Sequence, residues 1–337
     1  MNKTLKIAIP MAGFGTRMRP HTWSKAKPLV AVAGRTVLDY VLEQFKTLPK
    51  GIEKEYIFIV GSYQLEQVSQ YMKDNYPDLT CHFVVQEEML GQSNALYQAK
   101  DHLLDSPVLM TFSDTLIETD LGVLADPAFQ AAAWVRPVPD PRRFGVAVTN
   151  EDGWVTKLVE KPDSMENNLV VVGFYYFENG SDLIAAIEEQ QERKLTLKGE
   201  FFLADAVNIM LEKGIKMGTQ KVQAWLDAGL PEAVLETNRY LLDHGHDNGS
   251  DFQAAGVNII PPVFIHETAK IKSSVIGPHA SIGANCVIED AIIRDSVLDS
   301  NTEVKALILE STLLGKNVQV SGKSQQLNLG DNASIKA

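Results

Sequence analysis

Short apolar runs alternate with amphipathic segments through the first part of the chain. Continuous apolar runs predict buried strands, and apolar residues recurring every three or four positions predict helices. The strands fall at 7–12, 56–60, 82–86 and 107–112, and the helices at 36–45, 65–72 and 91–103. Strands that alternate with helices in this way are typical of a parallel α/β sheet.

From residue 131 the pattern changes to strands in closer succession, which predicts an antiparallel extension on one side of the sheet. These strands are 131–136, 144–149, 155–160 and 169–177. The later segments are helices at 181–193 and 201–213, a strand at 216–222 and a last helix at 231–242. Pro231 suits the first position of that helix, because the N–H that proline lacks has no partner there.

The period changes again in the last part of the chain. Isoleucines recur at steps of six or five with small residues between them: Ile265, Ile271, Ile276, Ile282, Ile288 and Ile293. A repeat this short buries no core alone and must stack on its neighbours, so we expect about three coils of roughly 18 residues each. The polar, glycine-rich run 244–251 predicts a boundary. We therefore expect domains at 1–245 and 261–337, joined by a linker at 246–260.

Composition narrows the class of protein. The chain has 337 residues and a net charge of −12, with 45% hydrophobic and 22% charged residues, which is ordinary for a soluble protein of two domains. The acidic balance argues against nucleic-acid binding, and no apolar run approaches the roughly 20 residues that span a bilayer. The N-terminal segment does not resemble a signal peptide, and two distant cysteines, Cys81 and Cys286, fit a reducing compartment. We expect a cytoplasmic protein that binds no nucleic acid and no membrane.

The first 38 residues oppose the charge of the whole chain, since they contain seven Lys or Arg and no Asp or Glu. A glycine turn, Gly13-Phe14-Gly15, follows the first strand and leads into a loop that carries four of these cations, Arg17, Arg19, Lys25 and Lys27. Glycines let backbone N–H groups approach phosphate oxygens, so the segment predicts a polyanion at the carboxyl end of the strand. No Walker A string is present, and Met18 replaces the third glycine of the dinucleotide fingerprint. A tight turn with solvated basic residues is the simpler alternative.

The full run from Gly13 to Leu29, G-x-G-T-R-x-x-P-x-T-x-x-x-x-K-P-L, resembles the signature of the sugar-1-phosphate nucleotidylyltransferases. Trp225-Leu-Asp-Ala-Gly resembles the second metal motif of that family, and Val159-Glu-Lys-Pro resembles its sugar-binding segment. The resemblance implies a mixed, mostly parallel, Rossmann-like sheet with flanking helices. The isoleucine repeat is similar to the hexapeptide repeats of left-handed parallel β-helices. The members that transfer a nucleotidyl group from dTTP or UTP to glucose 1-phosphate are the most similar.

Nucleotidyl transfer to a sugar 1-phosphate requires two anions held together, cations for the leaving pyrophosphate, and carboxylates for Mg²⁺. Two aspartates are candidate ligands. Asp114 follows a buried strand, and Asp227 lies in the second motif; each taken alone also fits an ordinary turn. The resemblance implies Mg²⁺ as the cofactor, bound by these two side chains.

The resemblance implies that the substrates are a nucleoside triphosphate and a sugar 1-phosphate. It also implies roles for further residues. An Arg fork suits the triphosphate and a Lys point charge suits the transferred group. The implied roles are catalytic for Arg17, Lys27 and Lys161, nucleotide-binding for Ala12, Gly13, Gly15, Thr16, Arg17, Gln86 and Gly91, and sugar-phosphate-binding for Gly145, Glu160, Lys161, Asn168, Gly173 and Glu200.

Two departures from the family pattern limit what the resemblance implies. Ser113 stands where the family usually has glycine, so the resemblance does not define the conformation of the turn before Asp114. The repeat contains only His266 and His279 as histidines, so oligomerisation or regulation is favoured there over acyl transfer. We expect a homo-oligomer formed through the β-helix. Guanylyl transfer to mannose 1-phosphate, adenylyl transfer to glucose 1-phosphate, and a non-catalytic regulatory or assembly subunit remain alternatives, and the sequence does not fix the sugar or the base.

Overall fold

The computed structural model describes residues 4–125 and 128–322. Its internal contacts divide the chain into two compact units. The first unit takes in the residues up to Val30 and those from Thr36 to Ala233, and the second takes in Ala31–Arg35 and the described residues from Val234 onward. None of the helices in the described ranges has both the length and the apolar character needed to cross a bilayer.

Residues 5–241 contain the strands and helices of an α/β sheet, together with a small hairpin (β2 and β3) and a two-stranded ribbon (β7 and β13). The strands are β1 (Leu5–Pro10), β2 (Ala31–Val32), β3 (Arg35–Thr36), β4 (Lys54–Val60), β5 (Cys81–Val85), β6 (Val108–Thr111), β7 (Thr115–Glu118), β8 (Ala131–Pro137), β9 (Gly145–Thr149), β10 (Val155–Glu160), β11 (Leu169–Phe177), β12 (Met217–Lys221) and β13 (Ala224–Asp227). The helices are α1 (Val37–Glu43), α2 (Leu65–Asn75), α3 (Gln92–Gln98), α4 (Lys100–Leu103), α5 (Gly180–Glu192), α6 (Leu203–Glu212) and α7 (Pro231–Leu241).

The large sheet has the order β10-β9-β11-β6-β1-β4-β5, with β8 paired to β11 and β12 paired to β8. Strands β6, β1, β4 and β5 are parallel, and β11 pairs antiparallel with β6, β8 and β9. This confirms the mixed α/β fold and the antiparallel extension. Strands β1, β4 and β6 of the parallel part are mostly buried, as continuous apolar runs require, whereas the edge strand β5 is only half-buried. All four strands run in the same direction. Their carboxyl ends therefore meet at one edge, where a ligand can bind.

The helix predicted over 91–103 is wrong as a single element. The structure breaks it at Ala99, where φ −94° and ψ 10° leave the helical region and the N–H donates to the Leu96 carbonyl. Alanine favours helices intrinsically, so the sequence carries no signal for this break. The break gives α3, which packs on β1 and β4, and the short α4, which packs on α5.

The strands β7 and β13 form a separate two-stranded antiparallel ribbon that periodicity did not predict. Asp227 lies opposite Thr115 in this ribbon, and the Ala228 N–H donates to the Asp114 carbonyl (3.0 Å). The ribbon thus joins the two candidate metal motifs.

The second unit contains three parallel four-stranded sheets, consistent with a left-handed β-helix. Face A contains β14 (Asn258–Ile259), β17 (Val275–Ile276), β20 (Ile292–Arg294) and β23 (Ile308–Glu310). Face B contains β15 (Val263–Ile265), β18 (Ala280–Ile282), β21 (Val297–Leu298) and β24 (Leu313–Leu314). Face C contains β16 (Lys270–Lys272), β19 (Val287–Glu289), β22 (Glu303–Lys305) and β25 (Gln319–Ser321).

The predicted coil dimensions are wrong in two respects. Each face has four rungs rather than three, and register partners lie 17 residues apart in the early coils (Asn258 with Val275) and 16 apart in the later ones (Val297 with Leu313), rather than 18. The difference arises at the corners, where single residues with positive φ turn the chain after five residues as often as after six. The predicted domain limits stay a prediction. Residues 323–337 lie outside the described part, and β14 falls within the predicted linker.

Stacked asparagines form one corner of the β-helix. Asn285, Asn301 and Asn317 have φ of 57°, 58° and 60°, in the left-handed region that asparagine tolerates better than branched residues. The Asn285 amide donates to Asn301 Oδ1 (3.2 Å), and the Asn301 amide donates to Asn317 Oδ1 (3.0 Å). The ladder fixes successive coils in register.

Replacement of Asn301 separates these two contributions. Asn301→Val places a branched side chain at positive φ and removes both ladder bonds, so we expect the free energy of unfolding to fall by about 2 kcal/mol. Asn301→Gly keeps the backbone conformation and loses only the ladder, so we expect a smaller fall of about 1 kcal/mol. Denaturant titration measures both; equal losses would contradict a conformational role for this corner.

Candidate active site

The glycine turn after β1 is held by side chains that follow β4, the parallel neighbour of β1. The Tyr63 hydroxyl donates to the Gly13 carbonyl (2.8 Å), and the Gln64 amide donates to the same oxygen (3.2 Å). The Thr22 hydroxyl donates to the Gly15 carbonyl (2.8 Å). These bonds fix the loop before any ligand binds. Sequence reasoning missed Tyr63 and Gln64, although their position just beyond a strand end was a usable signal.

Two cations and two carboxylates meet beside this loop. Lys27 Nζ donates to Asp114 Oδ2 in an ion pair whose side chains are mostly buried. Desolvation raises the pKa of the Asp227 carboxyl, and the charge of Asp114 raises it further, whereas Lys27 and Arg17 lower it. The four side chains are therefore electrostatic neighbours, although they come from three separated segments of the chain.

A cleft of about 530 Å³ opens in front of these groups. Seven of the predicted site residues line this cleft, and Pro10, Met11 and Phe112 form its apolar wall. The predicted residues along this cleft are Gly13, Gly15, Thr16, Arg17, Lys27, Asp114 and Glu200. The cleft thus combines a backbone loop, cations and a carboxylate, which suits a phosphorylated ligand.

A second hollow of about 230 Å³ adjoins the first and contains the residues predicted to bind the base. Ala12, Gln86 and Gly91 line it. The amide nitrogen of the buried Gln86 donates to the Gly91 carbonyl (3.2 Å) and to Asn94 Oδ1 (2.9 Å). These two bonds fix the orientation of the Gln86 amide.

Position 91 requires glycine both because of its backbone conformation and because another segment packs closely against it. Its φ is 102°, and a Cβ there would lie 2.7 Å from the backbone nitrogen of Phe201. The Phe201 N–H donates to the Leu90 carbonyl (2.8 Å), so the segment that carries Glu200 is bonded to the turn before α3. This contact brings Glu200 to both hollows.

Phe112 lines both hollows, and Gly173 sets its position. Gly173 has φ 82° at a register shift of β11, and a Cβ there would lie 2.4 Å from the Phe112 ring. The predicted role of Gly173 was a contact with the sugar through its backbone. Its nearest neighbour in the structure is this aromatic ring, which sequence reasoning missed.

The predicted sugar-binding segment lies at the end of β10. Lys161 has φ 48°, its Nζ lies 3.7 Å from Glu160 Oε1, and the same ammonium lies 4.5 Å from the centre of the Phe202 ring. Burial raises the pKa of the Glu160 carboxyl, Lys161 lowers it, and the charges of Asp205 and Glu200 raise it. Gly145 lies against this carboxylate, because a Cβ there would be 3.1 Å from Glu160 Oε2.

The structure brings most of the predicted residues into three groups within the first unit: the larger cleft, the smaller hollow and the end of β10. Neither hollow is lined by Gly145, Glu160, Lys161, Asn168, Gly173 or Asp227. Asn168 is exposed at the start of β11, where its carbonyl accepts from the Val138 N–H (3.0 Å). The roles of all these residues stay predictions. Within residues 4–125 and 128–322, no group of three or more His, Cys, Asp or Glu is arranged to hold a metal ion.

A glycine loop at parallel strand ends, with a lysine and an aspartate in the same cleft and a second aspartate close by, is typical of proteins that bind phosphorylated ligands at the edge of an α/β sheet. The family model described as nucleotidyl transferase matches residues 8–244. The chain belongs to this nucleotidyl transferase family.

The chain is also similar to named relatives and to a solved structure. It is 29% identical to the low-salt glycan biosynthesis nucleotidyltransferase Agl11 of Haloferax volcanii, over 98% of this chain and 100% of the relative. It is 28% identical to the glucose-1-phosphate thymidylyltransferase of Streptomyces griseus, over 98% of both chains. A crystal structure assigned as a glucose-1-phosphate thymidylyltransferase from Bacillus anthracis, in complex with sucrose, superimposes with a TM-score of 0.61 at 21% identity over 70% of this chain and 95% of that one. This last likeness shows the fold.

The raised pKa of Glu160 predicts a pH-dependent stability. A carboxyl whose pKa is higher in the folded chain destabilises the fold while it is ionised, and that cost disappears as the pH falls through the folded pKa. We expect Glu160→Gln to raise the melting temperature at neutral pH, and the advantage to shrink toward pH 4.5, the ordinary value for the group. Glu166→Gln, at an exposed position on the neighbouring loop, is the matched control. An advantage that grows with acid would contradict the assigned direction.

Proposed function

We propose that this protein transfers a nucleotidyl group from a nucleoside triphosphate to a sugar 1-phosphate, with dTTP or UTP and glucose 1-phosphate as the favoured substrates. The products are a nucleoside diphosphate sugar and pyrophosphate. The observation that carries the proposal is the β7–β13 ribbon, which sets Asp227 beside Asp114 while Lys27 contacts Asp114. The names of the thymidylyltransferase relatives support the same activity.

The donor set fits Mg²⁺. Two carboxylates lie at one end of the ribbon, Asp227 as the last residue of β13 and Asp114 just before β7. The charge of Asp114 raises the pKa of Asp227, a repulsion that a divalent cation would relieve. Mg²⁺ prefers one or two carboxylates and leaves its other positions to water and phosphate. Asp114 and Asp227 would hold the ion. When bound, it would neutralise charge that develops on the phosphates during transfer.

The residues of the chain supply positioning and charge for a direct displacement. An oxygen of the sugar phosphate attacks the α-phosphorus and forms a new P–O bond, and the bond to the bridging oxygen breaks so that pyrophosphate leaves with the electron pair. Arg17 and the loop amides bind the leaving phosphates, and Lys27 holds the α-phosphate. The attacking oxygen is already ionised, so no general base is required.

The base selectivity follows from Gln86. Gln86 lines the smaller hollow, and its amide nitrogen already donates to protein acceptors. Its amide oxygen would therefore accept from the N3–H of thymine or uracil, whereas cytosine has an acceptor at N3. The N1–H of guanine is a donor of the same kind, which keeps guanylyl transfer ahead of adenylyl transfer as the second candidate. At the sugar 1-phosphate, Lys161 would bind the phosphate. Glu160 would accept hydrogen bonds from the sugar hydroxyls, with the backbone of Gly145 against the sugar.

Removal of either ribbon carboxylate tests the site. We expect Asp114→Asn and Asp227→Asn each to reduce pyrophosphate release by at least about a thousandfold, because the cation and its charge stabilisation are lost. The melting temperature should stay within a few degrees. Asp101→Asn, on the exposed side of α4, is the matched control and should keep full activity. Activity that survives both ribbon substitutions would refute the metal assignment and favour a different catalytic arrangement.

A substrate matrix tests the base and the sugar together. Pyrophosphate release is measured with the five common nucleoside triphosphates, dTTP included, against several sugar 1-phosphates. For the wild type we expect dTTP and UTP to lead with glucose 1-phosphate. Gln86→Leu should raise KM for dTTP and UTP about tenfold, as expected for the loss of one buried hydrogen bond, with little change for CTP. An equal loss for every base would mean that Gln86 supports the fold rather than reading the base.

A further inference from the structure

The glycine turn after β1 has paired carbonyl groups and unpaired amide groups. The carbonyl oxygens of Ala12, Gly13 and Gly15 all accept hydrogen bonds from side chains. The N–H groups of Gly13 and Phe14, by contrast, have no hydrogen-bond partner in the part of the chain that the structure describes. A turn whose acceptors are paired and whose donors are unpaired presents positive partial charge, which suits an anion.

Neither the backbone conformation nor packing within the described chain explains the glycine at position 13. Gly13 is not among the residues with positive φ, and a Cβ there would meet no described atom within 4 Å. Gly15 differs, because its φ is 60° and a Cβ there would lie 3.2 Å from the Thr22 methyl group. Gly13 lines the larger cleft, so the absence of its side chain leaves room for a ligand to approach the backbone.

Two side chains in the turn between β4 and α2 bind the carbonyls of the glycine turn. The Tyr63 hydroxyl lies 2.8 Å from the Gly13 oxygen and 3.1 Å from the Ala12 oxygen, so its one hydrogen is shared between them. The Gln64 amide nitrogen donates to the Gly13 oxygen (3.2 Å), and its Oε1 accepts from the Gly61 N–H (3.4 Å). Desolvation raises the pKa of Tyr63 to about 12, so the hydroxyl stays a donor at neutral pH.

Packing also holds these two side chains in place. The Tyr63 ring stacks on Phe14, with ring centres 5.1 Å apart and planes 15° apart. Gly61 allows the tyrosine to lie this close to the backbone, because a Cβ there would be 2.5 Å from Cε1 of the Tyr63 ring. Gln64 is 2% exposed, so its amide is confined to the interior. Both donors are therefore positioned by the fold.

The planarity of the peptide bond transmits this anchoring to the amide groups. In a trans peptide the C=O and the following N–H point in opposite directions, and the peptide bonds from Ala12 to Phe14 are trans. Because the Ala12 and Gly13 carbonyls face Tyr63, the N–H groups of Gly13 and Phe14 point away from it. Gly13 and Phe14 both line the larger cleft, whereas Tyr63 and Gln64 do not.

We propose that Tyr63 and Gln64 are positioning residues for the nucleoside triphosphate. They bind the carbonyl side of the glycine turn and thereby aim the N–H groups of Gly13 and Phe14 at the phosphates that leave as pyrophosphate. The inference rests on the proposed function, because it takes the ligand of this loop to be a triphosphate. Donors that are oriented before binding spare the cost of ordering the loop when the ligand arrives.

Single-hydroxyl variants test the role in steady-state kinetics. Tyr63→Phe keeps the stacked ring and removes only the donor, so we expect KM for dTTP to rise about tenfold while KM for glucose 1-phosphate is unchanged. Gln64→Leu should raise KM for dTTP in the same way. Tyr71→Phe is the matched control in α2, since it removes a hydroxyl that donates to Asp39 (2.8 Å). It should lower the melting temperature and leave both KM values unchanged.

Calorimetric titration with pyrophosphate in the presence of Mg²⁺ tests the loop without turnover. We expect Tyr63→Phe to weaken pyrophosphate binding about tenfold. Unchanged pyrophosphate affinity in both variants would overturn the positioning role, as would equal rises in KM for both substrates, a fall in kcat alone, or a wild type that binds no pyrophosphate. A wild type that binds pyrophosphate but releases none from any pair of substrates would instead refute the proposed function, and the titration would still decide the role of Tyr63.

Discussion

Lys27 and Asp227 approach the same carboxylate, Asp114, from segments near opposite ends of the first unit. The lysine comes from a loop after β1, and the second aspartate is delivered by the pairing of β13 with β7. Two carboxylates in this proximity repel each other, and the lysine compensates only part of that charge. The proposed chemistry depends on this arrangement, because it makes the site favourable for a divalent cation and for the phosphates that accompany it.

The rest of the first unit positions this cluster. The parallel strands β6, β1, β4 and β5 end at one edge, so the glycine loop, the clamp of Tyr63 and Gln64, and the hollow around Gln86 share one region. The antiparallel strands carry Glu160 and Lys161 at the end of β10. This arrangement explains why the first 38 residues are basic in an acidic chain. Positive charge at the site attracts phosphates there, and the negative charge of the remaining surface repels them.

Sequence patterns predicted the strands well where burial imposes a clear pattern. The predicted limits of β10 and β11 agree with the structure, and the change from parallel to antiparallel strands was located correctly. Patterns failed where the determining interaction is long-range. The ribbon of β7 and β13 consists of two four-residue strands far apart in sequence. Each strand is too short for the alternation of apolar and polar residues to identify it. The helix break at Ala99 occurs without a glycine or proline, and the shorter coils of the β-helix depend on backbone conformation at the corners.

The candidate site shows the same division. Motifs brought Asp114, Asp227 and Lys27 into consideration, but the roles of Phe112 and Gln64 depend on contacts that only the folded chain displays. The most direct test of the central claim is electron paramagnetic resonance of Mn²⁺ bound with a nucleoside triphosphate whose α-phosphate is enriched in ¹⁷O. We predict stoichiometric Mn²⁺ binding with lines broadened by the labelled oxygen, and loss of that complex in Asp227→Asn. Unbroadened lines, or an unchanged complex in the variant, would contradict the account.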